Sequence, residues 1–213
     1  MRDRFHQQLD RVVDSVVGLI VQVDDAVSLA TRALLDADRV TAESVISNDL
    51  AIDDLCRKIE DDATELLLRE QPVASDLRLL LVTQRIVADL ERSGDLAKNI
   101  AKQARRRYPN KVVPQQMEQT IAEMAAAAGS LLRKASQIFA ERDLDLAREL
   151  EADDDRVDDL HRALLREVVA STGSGAVEAA VDLTLCGRYY ERIADHAVVI
   201  AHQVIYLSTG DHA

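Results

Sequence analysis

The sequence predicts an all-α fold: two tandem antiparallel three-helix bundles related by an internal repeat, at residues 1–110 and 111–213, packed as one compact unit. Three observations predict it. Apolar residues recur at helical spacing along nearly the whole chain. Seven Gly and three Pro in 213 residues are too few for the many tight turns of a sandwich or barrel. Segments in the two halves match each other about 100 residues apart.

The first helix is predicted at about 6–36, with Val12, Val16, Leu19, Val23, Val27 and Ala30 on one face. Asp38 and Thr41 mark a break, and Thr41 can cap the next helix. That second helix covers about 42–70, with Val45, Ile52, Leu55, Ile59, Ala63 and Leu66 as its stripe, and Gln71-Pro72 stops it. The third covers about 75–107 on Leu79, Val82, Ile86, Leu90, Ala97 and Ile100, ending at Tyr108-Pro109-Asn110. Arg105, Arg106 and Arg107 sit in its last turn, where they match the helix dipole. Pro114 opens a fourth helix, because Pro suits the first helical position, and it ends near Arg142. The fifth covers about 144–171 and stops at Gly173-Ser174-Gly175; the sixth covers about 177–207. No strand is expected.

Composition narrows the function. The chain is 47% hydrophobic and 30% charged, with a net charge of -12. Such a surface repels nucleic acid and anionic membranes and suits cations or basic protein patches. Cys56 and Cys186 lie far apart in apolar helical contexts and read as buried thiols in a reducing compartment. No apolar stretch follows Met1-Arg2-Asp3-Arg4, and charged or amide residues interrupt every apolar run, so neither a secretory signal nor membrane insertion is expected. The expected location is the cytoplasm.

The repeat is specific. Glu91, Arg92, Asp95, Ala97, Ile100 and Ala101 recur as Glu191, Arg192, Asp195, Ala197, Ile200 and Ala201. Asp49, Asp53, Asp54 and Leu55 recur as Asp154, Asp158, Asp159 and Leu160. Each matched helix therefore carries two acids four residues apart: Asp49 and Asp53, Glu91 and Asp95, Asp154 and Asp158, Glu191 and Asp195. Residues at that spacing share a helix face. Chance alone gives about seven acidic pairs of this spacing in such a chain, so the weight lies in their equivalent positions. Two such helices side by side bring four carboxylates together, and a hard cation relieves their repulsion. By helical angle, all eight acids lie off the apolar stripes, so a metal would sit in a shallow groove between two helices. His202 could add a nitrogen ligand, although Lys102 stands at the matching place in the first half; His161 and His196 read as ordinary. A solvated acidic face without metal is the simpler alternative.

The repeat resembles the PhoU family of phosphate-signalling proteins over nearly the whole chain. The strongest stretches are Gln71-Pro72-Val73-Ala74-Ser75-Asp76-Leu77-Arg78, Asp89-Leu90-Glu91-Arg92-Ser93-Gly94-Asp95 and Tyr189-Tyr190-Glu191-Arg192-Ile193-Ala194-Asp195-His196. The last looks like the actinobacterial branch. The resemblance implies multinuclear clusters of divalent or trivalent metal ions (iron, zinc, magnesium or similar) on the eight acids. It further implies a homodimer that restrains the phosphate-starvation response, linking the ATPase subunit of a phosphate transporter to a sensor histidine kinase. It implies no enzymatic activity.

The competing expectation is a carboxylate-bridged di-metal oxidase in a helical bundle. That chemistry needs Glu-x-x-His pairs projecting into a core, and the sequence has none. A metal-free helical scaffold is the third reading. No Gly-rich phosphate loop, zinc-ligand spacing or nucleophile–base arrangement supports a hydrolase or nucleotide-binding protein.

Overall fold

The computed structural model describes residues 2–171 and 176–210, so the expected stop at Gly173-Ser174-Gly175 lies outside the described residues. Within them stand six α-helices and no strand: α1 (Arg2–Asp36), α2 (Arg39–Glu70), α3 (Ala74–Arg107), α4 (Glu118–Glu141), α5 (Leu144–Ala170) and α6 (Ala176–Thr209). A single 3-10 turn, Gln115–Met117, precedes α4.

Short links make neighbouring helices antiparallel. Ala37, at φ 52, takes the left-handed position that ends α1. Asp38 then caps α2: its carboxylate accepts the Thr41 backbone N–H at 3.1 Å and the Thr41 hydroxyl at 2.5 Å. Those bonds hold the Asp38 carboxyl below its ordinary range. Thr41 is thus the residue capped rather than the cap, and α2 begins at Arg39. Asp143 does the same for α5, accepting from the N–H groups of Asp145 and Leu146, both at 3.0 Å. Pro114 does not open α4 directly. Its carbonyl accepts from Met117 N–H at 2.9 Å, making the tighter turn that buries Met117 before α4 starts.

Helices α1, α2 and α3 pack on one another, as do α4, α5 and α6. The halves meet where α1 packs on α4 and α3 on α6. The predicted stripes of α1 and α3 are buried throughout. Both helices bury more than those stripes, Ile20 and Leu34 on α1 and Leu80 and Val87 on α3 among them, because each has neighbours in its own half and across the seam. On α2 the stripe is narrower, and Leu55 is only half-buried. Both cysteines are free and buried, and loss of hydration pushes each thiol up to about 12.

Polar contacts fix the seam. Thr31 donates its hydroxyl proton to the Val27 carbonyl at 2.7 Å, so the buried Tyr190 hydroxyl donates to Thr31 Oγ1 at 2.8 Å. Arg133 reaches from α4 to Asp24 on α1 at 2.8 Å. Asp182, its side chain 2% exposed, is gripped by Arg106 and by Arg107 Nε, the latter at 2.7 Å, while Arg107 also holds Glu178 at 2.7 Å. The basic run therefore does more than match the α3 dipole: two of its three guanidiniums clasp the start of α6. No helix of the described residues is long and apolar enough to cross a membrane.

Candidate metal centre

In the first half, α2 and α3 bring Asp49, Asp53 and Asp95 close enough to feel one another's charge, with Glu91 one turn before Asp95 on α3 and near Cys56 of α2. Gly94 permits the close approach, since a Cβ there would stand 3.2 Å from Ile52 and 3.9 Å from Asp49 Oδ1. One consequence corrects the angular expectation: Asp49 is buried, with its side chain only 4% exposed, although Glu91 and Asp95 are exposed as expected. An α2 residue at the edge of the apolar stripe is covered once α3 lies that close. Its charge is met by Lys98, whose Nζ donates to Asp49 Oδ2 at 2.5 Å and to Asp95 Oδ1 at 3.1 Å. Bonding to Asp49, with help from Asp95, pushes the Lys98 ammonium pKa well up against the opposing effect of burial. Asp53, half-buried beside Asp49, is raised by loss of hydration and then by its neighbour's charge.

The second half differs. Burial raises the Asp154 carboxyl to about 6, and Asp195, Asp158, Asp155 and Glu191 add to it by repulsion. Asp195 is raised by burial and then by Glu191. Among the described residues, Asp154, Asp158 and Asp195 form no ion pair. Val198 stands where the first half has Lys98. Glu191, 17% exposed, pairs with Arg188 one turn earlier on its own helix and lies 3.3 Å from His161 Nδ1 on α5. His161 is therefore not ordinary; it matches Cys56 of the first half by the repeat offset and faces one of the candidate acids. His196 is not ordinary either, because it bonds Ser93 within the seam. His202 lies 3.7 Å from Glu151 rather than beside any of the eight acids.

Among the described residues, no three carboxylate, thiol or imidazole groups stand together in ligating geometry. The donor chemistry nonetheless separates the halves. In the second, Asp154 lies close enough to Asp158, Glu191 and Asp195 to be repelled by each, and although Arg188 pairs with Glu191, among the described residues no cation makes ion pairs to acids of both helices, which suits a hard metal ion. In the first, an ammonium already bridges carboxylates from both helices, which does not. Sequence reasoning missed Lys98, Arg188 and His161. The break in the repeat between Lys98 and Val198, three residues past Asp95 and Asp195, is the signal that could have found the first.

A family model described as the PhoU domain matches residues 16–104 and 121–204, one copy in each half. The phosphate-specific transport system accessory protein PhoU homolog 2 of Mycobacterium tuberculosis is 40% identical over 210 residues, covering 99% of both chains. The crystal structure of PhoU from Pseudomonas aeruginosa is similar at a TM-score of 0.88 and 31% identity, over 97% of this chain and 100% of that one. The phosphate transport system regulatory protein PhoU from Streptococcus pneumoniae is similar at a TM-score of 0.89 and 26% identity, over 98% of this chain and 99% of that one.

Proposed function

The chain belongs to the PhoU family, and on that premise we propose that it restrains the phosphate-starvation response as an adaptor between the ATPase subunit of a phosphate transporter and a sensor histidine kinase. It is an accessory regulator, not an enzyme. The observation that carries the reading is likeness along the whole chain, not one motif, to an accessory protein of phosphate-specific transport. The protein works by docking, as a homodimer on the cytoplasmic side. Its net charge of -12 directs it to basic protein surfaces rather than nucleic acid.

In this reading Asp154, Asp158, Glu191 and Asp195 hold divalent or trivalent cations such as iron, zinc or magnesium. A bound cation neutralises the repulsion that burial intensifies among these carboxylates. The acids themselves orient the ion between α5 and α6 and set the charge that this face presents to a partner.

The di-metal oxidase is not favoured. Its ligands would project into a bundle core, whereas here the buried side chains between the helices are overwhelmingly aliphatic. Asp49, the one buried candidate acid, is already paired with Lys98.

Deleting the gene tests the regulatory role: phosphate uptake and a starvation-reporter phosphatase should both rise at replete phosphate. Unchanged uptake and reporter would remove it. Tagged protein should recover the transporter ATPase and the kinase from membrane fractions; recovery of neither would remove the adaptor role.

A further inference from the structure

We infer that Lys98 is the resident cation of the first-half groove, and that the Asp49–Lys98–Asp95 bridge excludes metal ions from it, so that the two halves of the repeat carry unlike chemistries. The inference rests on the metal reading above and assigns that metal to the second half alone.

The geometry carries it. Lys98 Nζ lies 2.5 Å from an oxygen of Asp49 on α2 and 3.1 Å from an oxygen of Asp95 on α3. These two carboxylates come from opposite walls of the groove, and a bridging metal would need the same pair. A metal at its usual distance of roughly 2.0–2.6 Å from those oxygens would crowd the ammonium and repel it. Lys98 would have to leave, and its departure would strip the partner from Asp49, whose side chain is 4% exposed. A hydrated cation would also have to shed water to reach so covered a carboxylate.

In the second half no ammonium bridges the two walls, and among the described residues none of the four acids is as covered as Asp49. Val198 carries no charge at the matching place. Arg188 pairs with Glu191 on its own helix and feels the charges of Asp195 and Asp158, but among the described residues it makes no ion pair with either and is half-exposed, so it can turn into solvent at small cost.

Mn²⁺ binding by calorimetry and metal content after dialysis test the inference on the full chain. Wild type should bind Mn²⁺, and Asp154→Asn with Asp195→Asn should weaken binding at least tenfold. Adding Lys98→Met to that pair should restore binding, and Asp49→Asn should abolish it again. Far-UV circular dichroism checks folding, and Lys98→Gln replaces Lys98→Met if the latter does not fold. Retention of wild-type binding by the Asp154→Asn, Asp195→Asn protein would overturn the inference while leaving the metal reading intact. Failure of both Lys98 variants to restore binding would also overturn it. Absence of Mn²⁺ binding in wild type would remove the metal reading, and the inference with it.

Discussion

His196 on α6 donates from Nδ1 to Ser93 Oγ on α3, at 2.8 Å, in the buried seam between the halves. The direction follows from Ser93, whose single hydroxyl proton goes to the Asp89 carbonyl at 2.9 Å. The serine is therefore an acceptor, and the imidazole sits as its Nδ1–H tautomer.

Burial lowers the pKa of this histidine; nearby Asp89 opposes the shift, while Arg192 and Arg92 add to it. A histidine whose folded value lies below its unfolded value of about 6.5 gives full stability above that pH. Stability falls as pH drops below 6.5, because the unfolded chain takes up a proton that the seam refuses. Thermal midpoints of wild type should therefore fall more between pH 7.5 and 5.5 than those of His196→Asn, the carboxylates being common to both. Equal falls would contradict this account.

Asp182 is covered and held by two guanidiniums. Asp182→Ala removes the buried anchor of the clasp but leaves Arg106 exposed and Arg107 still paired with Glu178, and should cost about 2 kcal/mol in lost charged hydrogen bonds. Urea unfolding would measure it, and a loss near that of an exposed ion pair, below about 1 kcal/mol, would show that the clasp matters little.

Two glycines should respond in opposite directions. At Gly187 a Cβ would meet Leu164 Cδ2 at 2.8 Å and His161 Cδ2 at 3.0 Å. Leu164 is fully buried, so Gly187→Ala should push α5 from α6 and cost about 1–3 kcal/mol. Around Gly18 nothing lies within 4 Å of a built Cβ. Gly18→Ala should add about 1 kcal/mol through helix propensity. Denaturation of the two variants side by side checks both signs.

Asp154 should be a stability cost without metal. Its folded pKa of about 6 exceeds the ordinary 3.8, chiefly through burial, so the folded state loses ground as pH rises from about 4 to 6, and the loss is complete above that. Asp154→Asn should stabilise the metal-free protein by about 1 kcal/mol at pH 7.5, after allowance for solvent screening, and by much less at pH 4.5. Urea midpoints at the two pH values would show it; an equal gain at both would point to packing rather than charge.

The periodic apolar stripes and the repeated acids were legible because both are local or recur at a fixed offset. What neighbouring helices do to them was not. Asp49 lies at the edge of its stripe in a helical wheel, and only the approach of α3 over Gly94 covers it. Lys98 reads as one more solvated charge until α2 is placed beside it. Arg106 and Arg107 match their own helix end in sequence, but their partner Asp182 lies 76 and 75 residues away. The caps failed for a smaller reason: Asp38 and Thr41 both suit the role, and the left-handed Ala37 decides where the turn ends.

Helices α1, α3, α4 and α6 are tied across the seam, whereas α2 and α5 pack within their own halves. Each acidic groove thus has one wall on a stiff four-helix keel and the other on an outrigger. Lashed by Lys98, the α2 outrigger is fixed at its acids. Its counterpart α5 is joined to α6 there by the longer His161–Glu191 contact, at 3.3 Å, rather than by an ammonium, so amide exchange should find it the looser of the two, and whatever settles on its carboxylates acts on a wall that can still move.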